Sequence, residues 1–366
     1  MSENITPKCP FEHITEQENE QIDEITDLTV KLLDKRYTDK GKPILRGVHP
    51  KSHGCVKATF KINEDIDKDL RIGLFTHPGK EFQAIVRFSN AAALDGPDID
   101  KDGKHGSRGM AVKVLDVGGK VLLDDHGGHS QDFLMINQPM FAFANTEDYL
   151  KLNRVLLQDD DVAARFFASI PAILAKKGKQ QDLTETEKRI FKSFKIVQGI
   201  QKTPEPEDTN PLEIRYFSAA PFLFGENRAM KFSAKPVNEV KATEFPEQPG
   251  ENYLREALAT TMKKEQDIVF SFKVQVRQCS DELEIENASS EWKESESDFE
   301  FKPVAKITIP AQQNNLFTPE QLDNCEKLEY TPWHSLVEHQ PLGSINRLRK
   351  DVYAASAKHR ETTHQK

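Results

Sequence analysis

The chain has 366 residues, 37% hydrophobic and 30% charged, with a net charge of −9 and a pI near 5.7. That is apolar material for one large domain or two small ones, and the acidic balance excludes a general nucleic-acid binder. No apolar run approaches membrane-spanning length, and the N-terminus lacks a basic segment followed by an apolar one. Neither a membrane span nor a signal peptide is therefore expected.

In chain order, residues 1–14 read as an irregular arm. From Thr15 to Arg36 the residues Ile22, Ile25, Leu28, Leu32 and Leu33 recur at helical spacing, which predicts an amphipathic packing helix. Arg46, His49 and His53 follow, with Gly54 ahead of a strand that alternates strictly from Val56 to Ile62. Pro50 and Gly54 argue against a helix aligning the two histidines, so His53 is read as structural. A second strand, Phe82 to Ser89, ends in Arg87 and Ser89, and a third runs from Met110 to Leu115. A short run from Lys120 to Leu123 follows a Gly-Gly turn. The loop holding Asp124, Asp125, His126 and His129 would make a loose metal cage because of its two glycines, and it reads as a solvated turn. Asp132 to Phe143 reads as a strand presenting Asn137.

Residues 145–202 read as helical, interrupted at Pro171 and at Gly178–Asp182. Phe166, Phe167, Ile170, Ile173 and Leu174 form a greasy face, read as a packing layer or a shelter for an acyl chain. Strands resume near residues 213–218, 228–235, 267–278 and 304–309, with a short helix around Asn252–Met262. Thr318-Pro-Glu-Gln is a helix-start pattern. The last helix covers Ser344 to Arg360, with Ser344 or Asn346 as the expected cap. At about 100° per residue, Arg349, Tyr353 and Arg360 share one face, and Arg349 is placed to donate to the Tyr353 phenol. A phenolate held this way is a hard ligand suited to ferric iron. The pattern predicts an α+β chain built on an antiparallel barrel or sheet.

The 22 Phe, against 2 Trp and 6 Tyr, point to a Phe-rich interior or a Phe-lined pocket. Cys9, Cys55, Cys279 and Cys325 contain no CxxC pair and predict neither a zinc knuckle nor a disulfide framework. A reducing, cytoplasmic setting is the default expectation.

Five segments, taken in order, resemble the haem catalases. Arg46-x-x-His49-x-Lys51-x-x-Gly54 is similar to their distal-histidine segment, and Arg87-Phe88-Ser89 to their Arg-Phe-Ser strand. Arg108-Gly109-Met110-Ala111-Val112-Lys113 resembles their Arg-Gly-Phe-Ala-Val-Lys strand. Asn137-Gln138-Pro139 is similar to the distal asparagine segment, and Arg349-x-x-x-Tyr353 with Arg360 to the proximal helix. The stretch from Pro332 to Arg347 resembles that of small catalase-related proteins, which lack the long N-terminal arm and the C-terminal extension. The matches cover residues 46 to 360.

The resemblance implies a single domain over 1–366 with an eight-stranded antiparallel β-barrel. An arm and helix would occupy 1–40, and the barrel 40–310 with its helical insertion at 145–202. C-terminal helices at 318–366 would carry the proximal ligand. It implies haem b as cofactor, with Tyr353 as the iron ligand assisted by Arg349, since tyrosinate ligation is the catalase mode. His49 would move a proton between the two peroxide oxygens, so that the O–O bond breaks heterolytically. Asn137 would orient the peroxide, Ser89 would fix the His49 tautomer, and Arg46, Arg87 and Arg360 would pair with the haem propionates.

Two positions depart from the large catalases: Gly106 stands where they carry an acidic residue, and Ala91 where a valine is usual. Both imply a wider, less charged approach. The expected activity is peroxide cleavage, as catalase or with an organic donor. The alternatives are isomerisation, lysis or peroxygenation with a fatty-acid or other organic hydroperoxide, and a haem-binding protein without turnover. A monomer or homodimer is expected.

Overall fold

The computed structural model describes residues 9–91, 96–100, 102–123, 128–158, 165–201, 209–237, 246–295, 300–311 and 317–364. Among them the strands are β1 (Ser52–Ile62), β2 (Glu81–Asn90), β3 (Arg108–Val114), β4 (Gln131–Ile136), β5 (Tyr216–Phe217), β6 (Phe222–Leu223), β7 (Arg228–Pro236), β8 (Ile268–Gln278) and β9 (Lys302–Ile309). Strands adjacent in the chain pair antiparallel through most of the sheet, and β9 pairs back onto β1. The short β5 and β6 both pair with β7, so together they act as one interrupted strand. The β5–β7 pairing closes the sheet into an eight-stranded antiparallel barrel. Closure removes the open edges that an antiparallel sheet must otherwise protect.

The alternation expected from the sequence fills the barrel. Val56 lies opposite Val86 and Phe60 opposite Phe82, with Val56, Phe60, Val86 and Phe88 all in the core. The Phe surplus resolves largely here: the Phe133 ring lies 4.6 Å from Phe272 and 5.0 Å from Phe232. Burying each such side chain contributes roughly 1.5–3 kcal/mol.

The outer face of the pleat positions the site. Cys55 of β1 is the cross-strand partner of Arg87 on β2, and Ser89 lies opposite Gly109 on β3. Arg87 and Ser89 are buried although they face away from the barrel core. The segment around His49 covers Ser89, and Glu326 covers Arg87.

The helices pack outside the barrel. They are α1 (Glu18–Arg36), α2 (Thr146–Gln158), α3 (Ile170–Gly178), α4 (Glu185–Ile200), α5 (Tyr253–Met262), α6 (Pro319–Lys327) and α7 (Ser344–His364). Ile22, Ile25, Leu150, Ile345 and Leu348 join α1, α2 and α7 in one cluster. A hairpin of α3 and α4 has its own small core of Ile170, Ile173 and Ile190 with Phe167 and Phe194. Its Phe stripe is packing, although Leu174 is exposed. No described helix is long and apolar enough to cross a membrane.

Several expectations are corrected. The cysteines pair, Cys9 with Cys279 and Cys55 with Cys325. Each pair is separated by 270 residues, so only the tertiary fold brings its sulfurs together. The interruption expected at Pro171 is present: the chain turns at 167–169 and α3 restarts with Pro171 in its first turn, where a missing N–H costs nothing. β4 stops at Ile136, so Asn137 follows the strand. In the run at 120–123, Val121 makes a single bridge to Leu336. The α7 N-terminus is not capped by its own side chains. Glu286 accepts from Ser344 N and Glu12 from Gly343 N, both at 2.8 Å, while Asn346 Nδ2 donates to Pro221 O. Thr318 caps α6 as expected, accepting from Gln321 N. Asp124, Asp125 and His126 lie outside the described residues.

Candidate active site

His49 sits between α1 and β1 in the left-handed backbone region, at φ 55°. That conformation is uncommon for a side chain with a Cβ and marks a constrained position. Arg87 holds the backbone there, its Nη2 donating to His49 O at 3.0 Å. The imidazole Nδ1 lies 3.0 Å from Ser89 Oγ. With Nδ1 engaged by Ser89, Nε2 is the ring nitrogen turned to the other side. Gly109 makes the pair possible: a Cβ there would stand 2.5 Å from His49 Nδ1 and 2.7 Å from Ser89 Oγ. Burial, reinforced by the charges of Arg87, Arg349 and Arg46, pushes the imidazole down to about 3. His49 is therefore neutral near pH 7 and able to accept a proton.

Asn137 emerges from β4 beside the start of β3. Its Oδ1 accepts from Arg108 N at 2.8 Å and from Ser107 Oγ at 3.0 Å. These two donors fix the amide orientation, with Nδ2 turned to the other side. On α7, Arg349 Nε donates to the Tyr353 phenol oxygen at 3.2 Å, and Arg349 Nη1 to Asn346 Oδ1 at 3.0 Å. The guanidinium also lies 5.7 Å from the Phe141 ring. Arg349 belongs to the same electrostatic neighbourhood as His49, although the two are far apart in sequence.

Arg46, Arg87 and Arg360 also converge, but on a residue that the sequence did not single out. Glu326 of α6 accepts from Arg46 Nη1 through Oε2, and from Arg87 Nη2 at 3.1 Å through Oε1. Burial alone would push the Glu326 carboxyl up. The charges of Arg87, Arg46 and Arg360 override it and hold the carboxyl below the usual range. Burial, then the neighbouring Arg87, pushes Arg46 down to about 9. Arg87 Nε is buried and finds no acceptor among the described residues.

All eight singled-out residues are therefore described. His49 stands with Ser89 and its Arg87 strap, Asn137 with Ser107 and Arg108, and Tyr353 with Arg349, while Arg46, Arg87 and Arg360 close around Glu326. The donor chemistry suits haem. A phenol oxygen is backed by a guanidinium, a neutral imidazole is buried, and a carboxylate-binding arginine set holds a buried N–H in reserve. His53 stands apart, as expected. Its Nε2 lies 3.0 Å from Asn90 Oδ1, in a buried network with Asp98 and Arg108. Sequence reasoning missed Glu326 and the Cys55–Cys325 pair. The need for Gly109 had a signal, since a glycine interrupts the third strand beside the Arg-Phe-Ser strand.

No protein-family model matches the chain. A catalase of Staphylococcus haemolyticus is 25% identical over 162 residues, which is 42% of this chain and 28% of that protein. A catalase of Staphylococcus saprophyticus is 26% identical over 161 residues, covering 42% and 29%. The matched segment thus spans under a third of these relatives' length. Among solved structures, a fungal catalase superposes with a TM-score of 0.62 at 16% identity, over 88% of this chain and 61% of that one. Catalase A from Saccharomyces cerevisiae gives 0.62 at 16% identity, over 98% and 68%. The chain has the barrel fold of the solved catalases and is similar in sequence to the staphylococcal catalases over the shared segment.

Proposed function

We propose that the chain is a haem-dependent, catalase-related enzyme that cleaves hydrogen peroxide, releasing oxygen or oxidising an organic donor. The reading is supported by a buried His49 imidazole that Ser89 engages, a Tyr353 phenol that Arg349 engages, and an Arg349 charge that is felt at His49.

Haem b, when bound, would supply the redox-active iron. Tyr353 would ligate that iron, with Arg349 Nε donating to its phenol oxygen. Arg46, Arg87 and Arg360 are the residues to hold the propionates, because a planar guanidinium fits a carboxylate. His49 Nε2 would take a proton from one peroxide oxygen and return it to the other, which leaves as water, and the two electrons that the O–O cleavage consumes would come from the haem. Ser89 keeps the ring in one orientation while the proton moves. Asn137 Nδ2 donates to the peroxide and lines it up.

Replacing His49 with alanine tests this role. Peroxide consumption is expected to fall while haem binding persists, and unchanged consumption would remove His49 from the mechanism.

A second reading, a bulkier organic hydroperoxide as substrate, is favoured by one observation. A Cβ at Gly106 would meet nothing within 4 Å among the described residues, which leaves room at the position where the resemblance places an acidic side chain in the large catalases. Comparing turnover of hydrogen peroxide with that of a fatty-acid hydroperoxide separates the two. A haem carrier without turnover has less support, because carrying haem needs no oriented acid–base pair. A cytoplasmic location and a monomer or homodimer belong to the same proposal. Cell fractionation and sedimentation test them, and the two cysteine pairs make the redox state of the purified protein part of that test.

A further inference from the structure

Glu326 takes no part in the reaction derived above, yet its carboxylate lies where the arginine set would receive an anion. It is four-fifths buried, and Arg46 and Arg87 donate to its two oxygens. Its position is fixed from two sides. Cys55 is the cross-strand partner of Arg87, and Cys325 is the residue before Glu326. The Cys55–Cys325 bond therefore sets the Glu326 carboxylate against the Arg87 guanidinium. Beside them, a cleft of about 320 Å³ runs along α6, lined by Glu326, Asp323, Leu322, Arg255 and the strand start at Lys51–Ser52. The α6 helix thus has open space on one flank and a covalent tether to β1 on the other.

We infer that Glu326 is a built-in carboxylate occupant of the anion site, held there by the Cys55–Cys325 tether, and that haem propionates must displace it to bind. The inference rests on the haem reading above. Two carboxylates cannot both hold the same forked donors, so removing the resident charge favours the incoming one. The arginine set still needs an anion: without Glu326, three buried guanidinium groups repel one another until a ligand neutralises them. A dithiol that opens Cys55–Cys325 delivers two electrons and two protons. It leaves two thiols and its own disulfide, and α6 is then free to lift Glu326 away.

The test is a titration of the full chain, wild type and Glu326→Gln, with haemin and with haemin dimethyl ester, followed by the Soret absorbance. The account predicts that Glu326→Gln binds haemin roughly tenfold more tightly, that is about 1.4 kcal/mol, and gains nothing for the ester, whose propionates are blocked. The ligand-free variant melts at a lower temperature, and haemin raises its melting temperature more than that of the wild type. A Cys55→Ser, Cys325→Ser double variant, which leaves Cys9–Cys279 intact, is expected to bind haemin more tightly than the oxidised wild type and to lose any response to dithiothreitol.

Equal haemin affinity in wild type and Glu326→Gln overturns the inference while leaving the haem reading intact, and weaker binding by Glu326→Gln does the same. An equal gain for the ester shows that propionates are not the competing group, and overturns it too. Haemin binding by neither protein overturns the haem reading and the inference with it.

Discussion

Ser89 and Gly109 place His49 through neighbouring strands, β2 and β3, whose pairing fixes the two residues opposite each other. Glu326 meets Arg87 because α6, far along the chain, is docked on β1 through Cys325. The first region is held by sheet register and sterics, and the second by one covalent tether and a set of charges. Register tolerates no change of volume, whereas a charge cluster tolerates exchange of one anion for another. A catalytic pair belongs in the first kind of environment, and a site that must accept a ligand in the second.

The sharpest way to break this contrast is on the rigid side. His49→Ala removes the proposed proton-transfer group, and peroxide turnover should fall by roughly 10²–10⁴-fold, measured as oxygen release or donor oxidation with the secondary structure checked by circular dichroism. Gly109→Ala removes no chemical group, yet its methyl must displace His49 or Ser89. A loss of about 10–100-fold is expected, as for other supports of a reacting group. Near-normal turnover would show that the strands yield more than the register argument allows. Ser89→Ala keeps the space and loses only the oriented contact, so turnover should fall by about tenfold, the low end of that range. Comparing Gly109→Ala with Ser89→Ala thus ranks sterics above the hydrogen bond, and the reverse ranking would contradict the account.

The smallest effect concerns pH. Burial pushes His49 and His53 down to about 3 and His339 to about 4. The unfolded chain binds protons at these residues below about pH 6.5, while the folded one does not until pH 3–4, so stability rises with pH across that window. The melting temperature should therefore fall as pH drops from 6.5 towards 4. His53→Gln, in a network that meets Asn137 only through the Arg108 backbone, should soften that fall without changing the pH profile of turnover.

Much of the barrel was legible, because alternation from Val56 to Ile62 and from Phe82 to Ser89 records which face is buried. Arg349 and Tyr353 were legible for the same local reason, being one helical turn apart. The His49–Ser89 contact came through resemblance, since no spacing rule links residues on different segments. Glu326 was hidden because it lies in a helix whose only visible signal was its Thr318 cap. The cysteine pairs were hidden because their partners are set by barrel closure, which periodicity does not encode. The α7 cap was misassigned because Glu12 and Glu286 reach it from other parts of the chain.

The most direct measurement is the visible absorption spectrum of the purified protein, reconstituted with haemin where needed, beside Tyr353→Phe. The account predicts a Soret band with the charge-transfer bands of a high-spin ferric phenolate in the wild type, and loss of those bands in the variant. Identical spectra in the two proteins, or no haemin uptake by the wild type, would contradict it.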